Sequence, residues 1–229
     1  MKKQTQAQTS EPRRKSKFSL KKILFQTLLS QYKRFKLKHV DLSPENSQAT
    51  IRILLDKARY LFVVTQSLDP AQGRQFDENA DFSEKSGIAA QDSSRLSNVR
   101  YVQPIIEWQD QLFTIWIGTL ANSRKIAEIK RNPNVTLALG NDSAGANLII
   151  HGKASLHTDL QLKQRYWKPE WRLFFPEGPQ DADYIVVKIE PQHLELMDLR
   201  HGITPEPFGL KPLHLVQSDN GNGVWQAIV

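Results

Sequence analysis

The sequence predicts a mainly β (α+β) fold: an antiparallel barrel or sandwich with peripheral helices. Three observations carry that expectation. Short runs of β-branched and aromatic residues recur at hairpin-like spacing between Tyr60 and Asp198. Helical periodicity is confined to brief stretches between them. Strands and long helices do not alternate, as a doubly wound parallel sheet would require. The chain has 229 residues, of which 39% are hydrophobic, enough for one cored domain with appendages.

The elements are expected in this order. Residues 1–45 form a basic arm. It holds twelve Lys/Arg and three Asp/Glu, a charge of +9, while the remainder carries nineteen basic and twenty-one acidic residues, a charge of −2. The excess positive charge of the chain therefore belongs to the arm and says nothing about the partners of the core. Met1–Arg14 is polar and expected to be disordered. Over Ser16–Lys38 an apolar stripe (Leu20, Leu24, Leu28, Tyr32, Phe35) runs among lysines and predicts an amphipathic helix. Such a helix suits an anionic membrane, an acidic partner or import into an organelle, and equally a solvated helix resting on its own domain.

Residues 46–200 form the folded domain. Asn46–Lys57 reads as a helix and Tyr60–Thr65 as a buried strand. Residues 66–98 are polar and read as a surface insertion. Val99–Glu107 and Gln111–Ile117 read as strands around a turn at Trp108–Asp110, followed by a helix over Ser123–Arg131 that Asn132–Pro133 stops. Asn134–Gly140 and Ala146–His157 read as strands, the second broken at Gly152. Thr158–Arg172 reads as a helix interrupted near Pro169, and Phe175–Pro179 as a tight loop. Asp183–Glu190 and His193–Asp198 read as a strand pair around Pro191. Residues 201–229 form a tail that ends in a short pair, His214–Gln217 with Val224–Val229.

Several chemistries find no support. There is no cysteine, so no disulfide, thiolate metal site or thiol catalysis is available. No apolar run reaches the roughly 18 residues a membrane span needs. The glycines match neither a dinucleotide fingerprint nor a P-loop, and no serine occupies a nucleophile elbow. The six histidines are scattered, and no metal site is expected from their spacing. Basic core residues are not interleaved with aromatics, so nucleic-acid binding is not expected. Trp167 and Trp171, four residues apart, read as packing residues, with stacking on a planar ligand as the alternative.

The segment TLANSRKIAEIKRNP, from Thr119 to Pro133, is different. Arg124 and Lys125 stand at the start of a helix, where the dipole disfavours cations. Ser123 is a natural N-cap, and the free N–H groups of the first turn, with the hydroxyls of Thr119 and Ser123, form a donor cluster suited to an anion. A phosphate dianion would turn the misplaced cations into an asset through charge-assisted hydrogen bonds. The same residues also describe a capped surface helix with two solvated cations.

The order strand–hairpin–strand–T-x-x-x-S-R-K–helix–N-P-x-V–strand resembles the FMN-binding split barrel of the pyridoxamine 5′-phosphate oxidase-like superfamily. The similarity runs from about Ile51 to Asp198 and includes NPNVTLAL and LIIHGKASL. WRLFFPEGP followed by DYIVVKIEP is similar to the general-stress-protein branch. The resemblance implies an antiparallel split β-barrel, FMN as cofactor, and a homodimer with flavins between the subunits. By position it assigns the phosphate to Thr119, Ser123, Arg124 and Lys125. It places Trp116 and Gly118 beside the flavin, Gln103 and Asn147 at the polar edge of the ring, and Trp171 or Phe175 as a wall. Gln103 and Trp108 stand where the oxidases carry Arg and Lys, so two cations of the family pattern are missing. Met197 stands near the position of the substrate-holding Trp, and Arg200–His201 lacks the R-x-H spacing.

The implied function is therefore an FMN-dependent oxidoreductase, cytoplasmic, acting on a small-molecule substrate or electron donor other than vitamin B6, with no catalytic acid–base set. The alternative is a non-catalytic flavin- or haem-binding stress or sensor protein docked through its basic arm.

Overall fold

The computed structural model describes residues 24–28, 30–31, 40–67, 97–205, 211–218 and 224–228. The chain divides into two units, Met1–His39 and Val40–Val229. In the first, residues 24–28, 30 and 31 are helical, with Leu24, Phe25 and Leu28 exposed. The rest of the expected arm, and nearly all of the 66–98 insertion, lie outside the described residues. No described helix is long and apolar enough to cross a membrane.

The second unit opens with helix α1 (Pro44–Asp56). Ser43 caps it, accepting from the Asn46 N–H, and Pro44 follows at a position that has no helical N–H to give. Its Ile51, Leu54 and Leu55 recur on one face and are buried. The strands follow as β1 (Leu61–Gln66), β2 (Ser97–Val102), β3 (Pro104–Gln109) and β4 (Leu112–Leu120). After helix α2 (Arg124–Arg131) come β5 (Asn134–Asn141) and β6 (Ala146–His157). A short helix α3 (Leu160–Arg165) and two 3₁₀ turns (Pro169–Leu173, Gly178–Gln180) lead to β7 (Tyr184–Asp198), β8 (Leu213–Gln217) and β9 (Trp225–Ile228).

All the pairings among these strands are antiparallel, in the order β2-β1-β5-β6-β7-β4-β3, with β8 on β7 and β9 on β8. β2 and β3 stand at opposite ends of that path, yet only Gln103 separates them in the chain. The sheet must therefore curl until its ends meet, which makes a barrel whose seam is closed by one residue rather than by a ladder.

Two expected boundaries are corrected. Val99–Glu107 is two strands, because the proline at 104 follows a residue that must leave one sheet end and join the other. Residues 184–198 are one strand rather than a pair around Pro191. In the β6–β7 ladder His151 faces His193 and Gly152 faces Pro191, so Gln192 is an extra, bulged residue. A bulge accommodates Pro191, which has no N–H to give the ladder. Gly152 admits the close approach there, since a Cβ would meet the Glu190 carbonyl oxygen at 2.7 Å. The bulge also forks the sheet: Tyr184–Ile189 pairs with β4, and His193–Leu196 pairs with β8. The sheet does not stop near residue 200, because Leu213, Leu215 and Trp225 are buried and join the main core.

Alternation along β4 and β7 sorts side chains onto two faces. Ile115, Ile117, Ile185 and Val187 fill the barrel, with Leu137, Leu148, Ile150 and Leu194. Trp116, Tyr184 and Val186 point the other way and form a second aromatic core with Tyr166, Trp171 and Phe175. Glu107 fastens this outer layer, accepting from Tyr166 Oη at 2.6 Å, from Trp116 Nε1 at 3.0 Å and from Arg165. The hydrogen bond from Tyr166 is the chief reason its carboxyl is held below the usual range.

Burial, then the Glu107 hydrogen bond, pushes Tyr166 from 10.0 up to about 12, and burial raises Tyr184 further. A raised folded pKa gives stability that is complete below the unfolded value and lost as pH climbs to the folded one. The melting temperature is thus expected to fall between about pH 10 and pH 12 as both phenols are forced to ionise. Lys125 works in the opposite direction below 10.5, because burial lowers its pKa. A melting temperature that circular dichroism finds flat across that alkaline window would contradict the buried-phenol layer.

Candidate functional site

Helix α2 packs against β1 and β6, with Ile126 and Ile129 in the main core. Its Glu128 shares that inward face and is 1% exposed. A buried carboxylate must be paired and hydrogen-bonded, and Glu128 is. It accepts from Thr65 Oγ1 on β1, from Asn98 Nδ2 at 2.6 Å and from Arg100 Nη1 at 2.9 Å on β2. Arg124, one turn back, approaches its other oxygen at 3.5 Å. Asn98 and Arg100 face inward because they stand opposite Thr65 and Val63 in the β1–β2 ladder.

Arg100 and Glu128 are the site residues that sequence reading missed. The signal was present in both cases: polar residues at alternate, inward positions of SNVRYV, and a glutamate on the apolar stripe of RKIAEIKR. Arg100 changes the electrostatics of the site. The cations expected at Gln103 and Trp108 are absent from the sequence, but Arg100 reaches the start of α2 from β2. It acts on Lys125 directly: after burial, the Arg100 charge is the next cause that lowers the Lys125 pKa. Among the described residues, three cations, Arg100, Arg124 and Lys125, thus face one carboxylate, and two positive charges remain unbalanced.

The donors left over are equally informative. Ser123 is the N-cap of α2 by backbone geometry, yet its side chain makes no cap hydrogen bond. Its Oγ is buried and has no partner among the described residues, and the same holds for Arg100 Nη2. Lys125 Nζ donates to Thr119 Oγ1 at the end of β4. Orphaned buried donors cost about 1–3 kcal/mol each, so an arrangement that keeps two of them beside excess positive charge suits a dianion.

The remaining predicted residues stand elsewhere. Trp116 and Gly118 lie on the face of β4 opposite Thr119, in the second aromatic core. Trp171 covers Gly118: a Cβ there would lie 2.1 Å from the indole ring. Trp171 Nε1 donates to Gln103 Oε1 at 2.9 Å, and Gln103 Nε2 reaches Glu170 at 3.4 Å. Phe175 packs edge-on against Trp167 and face-tilted on Tyr184. Trp116 stacks on Tyr166 with centroids 4.0 Å apart. Trp167 and Trp171 meet at a right angle, 6.1 Å apart, as packing residues do. Asn147 is exposed and pairs with Met197, eleven positions along β7 from Val186, the partner of Gly118. In one chain the structure therefore gathers Thr119, Ser123, Arg124 and Lys125. It gathers Gln103, Trp116, Gly118, Trp171 and Phe175 on another face, and it leaves Asn147 apart from both.

Comparison with known proteins places this architecture. The family described as Pyridoxamine 5′-phosphate oxidase like matches residues 103–204. General stress protein 26 of Bacillus subtilis (strain 168) is 33% identical over 88 residues, 37% of this chain. The match spans 62% of the length of that relative. A Clostridium acetobutylicum protein related to general stress protein 26 shares the fold, with a TM-score of 0.54 at 16% identity over 76% of this chain and 96% of that one. A Nostoc punctiforme structure described as a pyridoxamine 5′-phosphate oxidase-related, FMN-binding protein aligns over 83% of this chain and all of its own, at 13% identity and a TM-score of 0.46. The curled antiparallel sheet, the residues matched and the shared fold agree with the motif resemblance: residues 103–204 are similar to the pyridoxamine 5′-phosphate oxidase-like family, and the chain shares its fold with a solved protein related to general stress protein 26.

Proposed function

We propose that this chain binds FMN by its phosphate at the start of α2 and is an FMN-dependent oxidoreductase acting on a substrate other than vitamin B6. The observation that carries the reading is the pair of orphaned donors, Ser123 Oγ and Arg100 Nη2, beside two unbalanced positive charges. Ser123, Arg124, Lys125 and Arg100 would hold the phosphate, with Thr119 orienting the Lys125 ammonium. Glu128 holds Arg100 and Arg124 in place and keeps the cations from repelling one another. Flavin, when bound, supplies the hydride or electron transfer, and no side-chain acid or base is required.

Positions that serve the vitamin in the oxidases are otherwise engaged here. Arg200 Nη2 donates to the Ser143 carbonyl at 2.7 Å, and His201 is held by buried Asp198 at 2.8 Å. Asn147 would reach a flavin only from a second copy of the chain, which supports a homodimer as the working unit. A cytoplasmic setting accords with the reading.

One observation favours the second reading, a binding protein without turnover: Trp171 and Gln103 are bonded to each other over Gly118, where the ring is expected. Titration separates the two. Full-length protein mixed with FMN and with riboflavin is expected to quench FMN fluorescence at least about tenfold more tightly, because only FMN carries the phosphate. Anaerobic NAD(P)H should then bleach the bound flavin. Equal affinity for FMN and riboflavin contradicts the phosphate site, and tight FMN that no donor reduces selects the non-catalytic reading.

A further inference from the structure

The histidines that the sequence scatters are brought together by the sheet. His151 on β6 faces His193 on β7, and Glu195 on β7 faces His214 on β8. Their rings form a stack across three strands, with His151 and His193 centroids 5.3 Å apart at 14°, and His193 and His214 5.2 Å apart at 10°. His151 Nε2 lies 3.0 Å from Glu195 Oε1, and His193 Nε2 lies 3.0 Å from His214 Nδ1. The donor atoms of His151, His193 and Glu195 all fall within 4.8 Å of one another, and all three residues are half-buried.

We propose that His151, His193 and Glu195 form a binding site for a divalent transition-metal cation of the zinc type. The two imidazole nitrogens are borderline donors that favour such ions over calcium or magnesium, and zinc also accepts a carboxylate oxygen beside them. Around an ion with bonds of about 2.0–2.1 Å, tetrahedral ligand atoms sit about 3.3 Å apart. The donor atoms, within 4.8 Å of one another, would have to draw together by up to about 1.5 Å to reach that spacing.

The surroundings suit a ligand set. Thr136 Oγ1 lies 3.1 Å from His151 Nδ1. Without metal, the hydroxyl can donate to Nδ1 while Nε2–H donates to Glu195. With metal, the hydroxyl turns to accept from Nδ1–H, which frees the Nε2 lone pair and fixes the tautomer. His214 stacks on His193 and fixes the plane of its ring. The backbone is also prepared. The bulge at Gln192 sets His193 opposite His151, and it depends on the close approach that Gly152 permits. A fourth coordination position would face solvent and take water.

The site sits at the fork where β7 leaves β4 and takes up β8. A bound cation would pin β6 to β7 at that point and stiffen the seat of the C-terminal strands. This inference stands independently of the flavin reading, because it uses none of the α2 residues.

The test uses untagged full-length protein, stripped with chelator and dialysed. Calorimetric titration with zinc chloride is expected to show one site per chain with micromolar or tighter affinity, on the order of the range such donor sets reach. Cobalt(II) should develop a visible tetrahedral spectrum on the same protein. Zinc should raise the melting temperature by several degrees. His193→Ala and Glu195→Gln should each weaken zinc at least about tenfold, and His157→Asn should leave it unchanged. If His193→Ala fails to fold, Glu195→Gln alone decides, since its near-identical shape preserves the ladder. Absence of saturable zinc binding, or equal weakening by His157→Asn, overturns the proposal.

Discussion

Glu128→Ala is expected to cost about 3–5 kcal/mol of folding stability, the penalty for removing one partner of a buried ion pair. Glu128 accepts from Thr65, Asn98 and Arg100 and also faces Arg124. Its loss strands several donors together and leaves the Arg100 guanidinium, 19% exposed, with no counter-charge. Repulsion among Arg100, Arg124 and Lys125 then adds to the cost. Glu128→Gln should cost less, about 1–3 kcal/mol, because one amide oxygen still accepts. It also leaves three unbalanced cations, so an added dianion such as phosphate should restore more stability to Glu128→Gln than to the parent. Urea denaturation followed by circular dichroism, with and without phosphate, measures both effects. A cost below about 1 kcal/mol for Glu128→Ala would mean that the carboxylate is not the hub of this cluster.

The second large effect is on affinity. Lys125→Met is expected to weaken FMN by about 1.5–3 kcal/mol, on the order of 10- to 100-fold, as loss of a charge-assisted hydrogen bond does. Riboflavin binding should hardly change, so the preference for FMN should collapse. Stability should move the other way. Burial and the Arg100 charge both oppose the Lys125 ammonium, so an apolar chain of similar length should leave the melting temperature unchanged or raise it. Opposite signs on the two observables separate a ligand-binding lysine from a structural one. Lys125→Met with unaltered FMN affinity would remove the lysine from the phosphate site, and a large drop in melting temperature would assign it a structural role instead.

Much of this molecule was legible before any coordinates. The helix expected over Asn46–Lys57 from its three- and four-residue spacing is observed at Pro44–Asp56. β1, β5 and β6 follow from short runs of apolar and β-branched residues between turn residues. The candidate anion site was visible because cations at a helix start contradict the dipole and so require a reason. What escaped was non-local. The strand break at Gln103 depends on the curl of the whole sheet, and Pro191 is absorbed into one long strand only because a bulge exists in the ladder beside it.

The sequence by itself determined where most strands and helices form, though not all of their bounds, and it marked a helix start rich in donors and cations, because local sterics, periodicity and capping act over a few residues. Only the tertiary structure decided which distant side chains share a space. It joined Arg100 to Lys125 across β2 and α2, set Trp171 over Gly118, and stacked histidines drawn from three strands. The physical reason is that register and curvature fix those meetings, and both are settled by burial of the whole core rather than by any single stretch of chain.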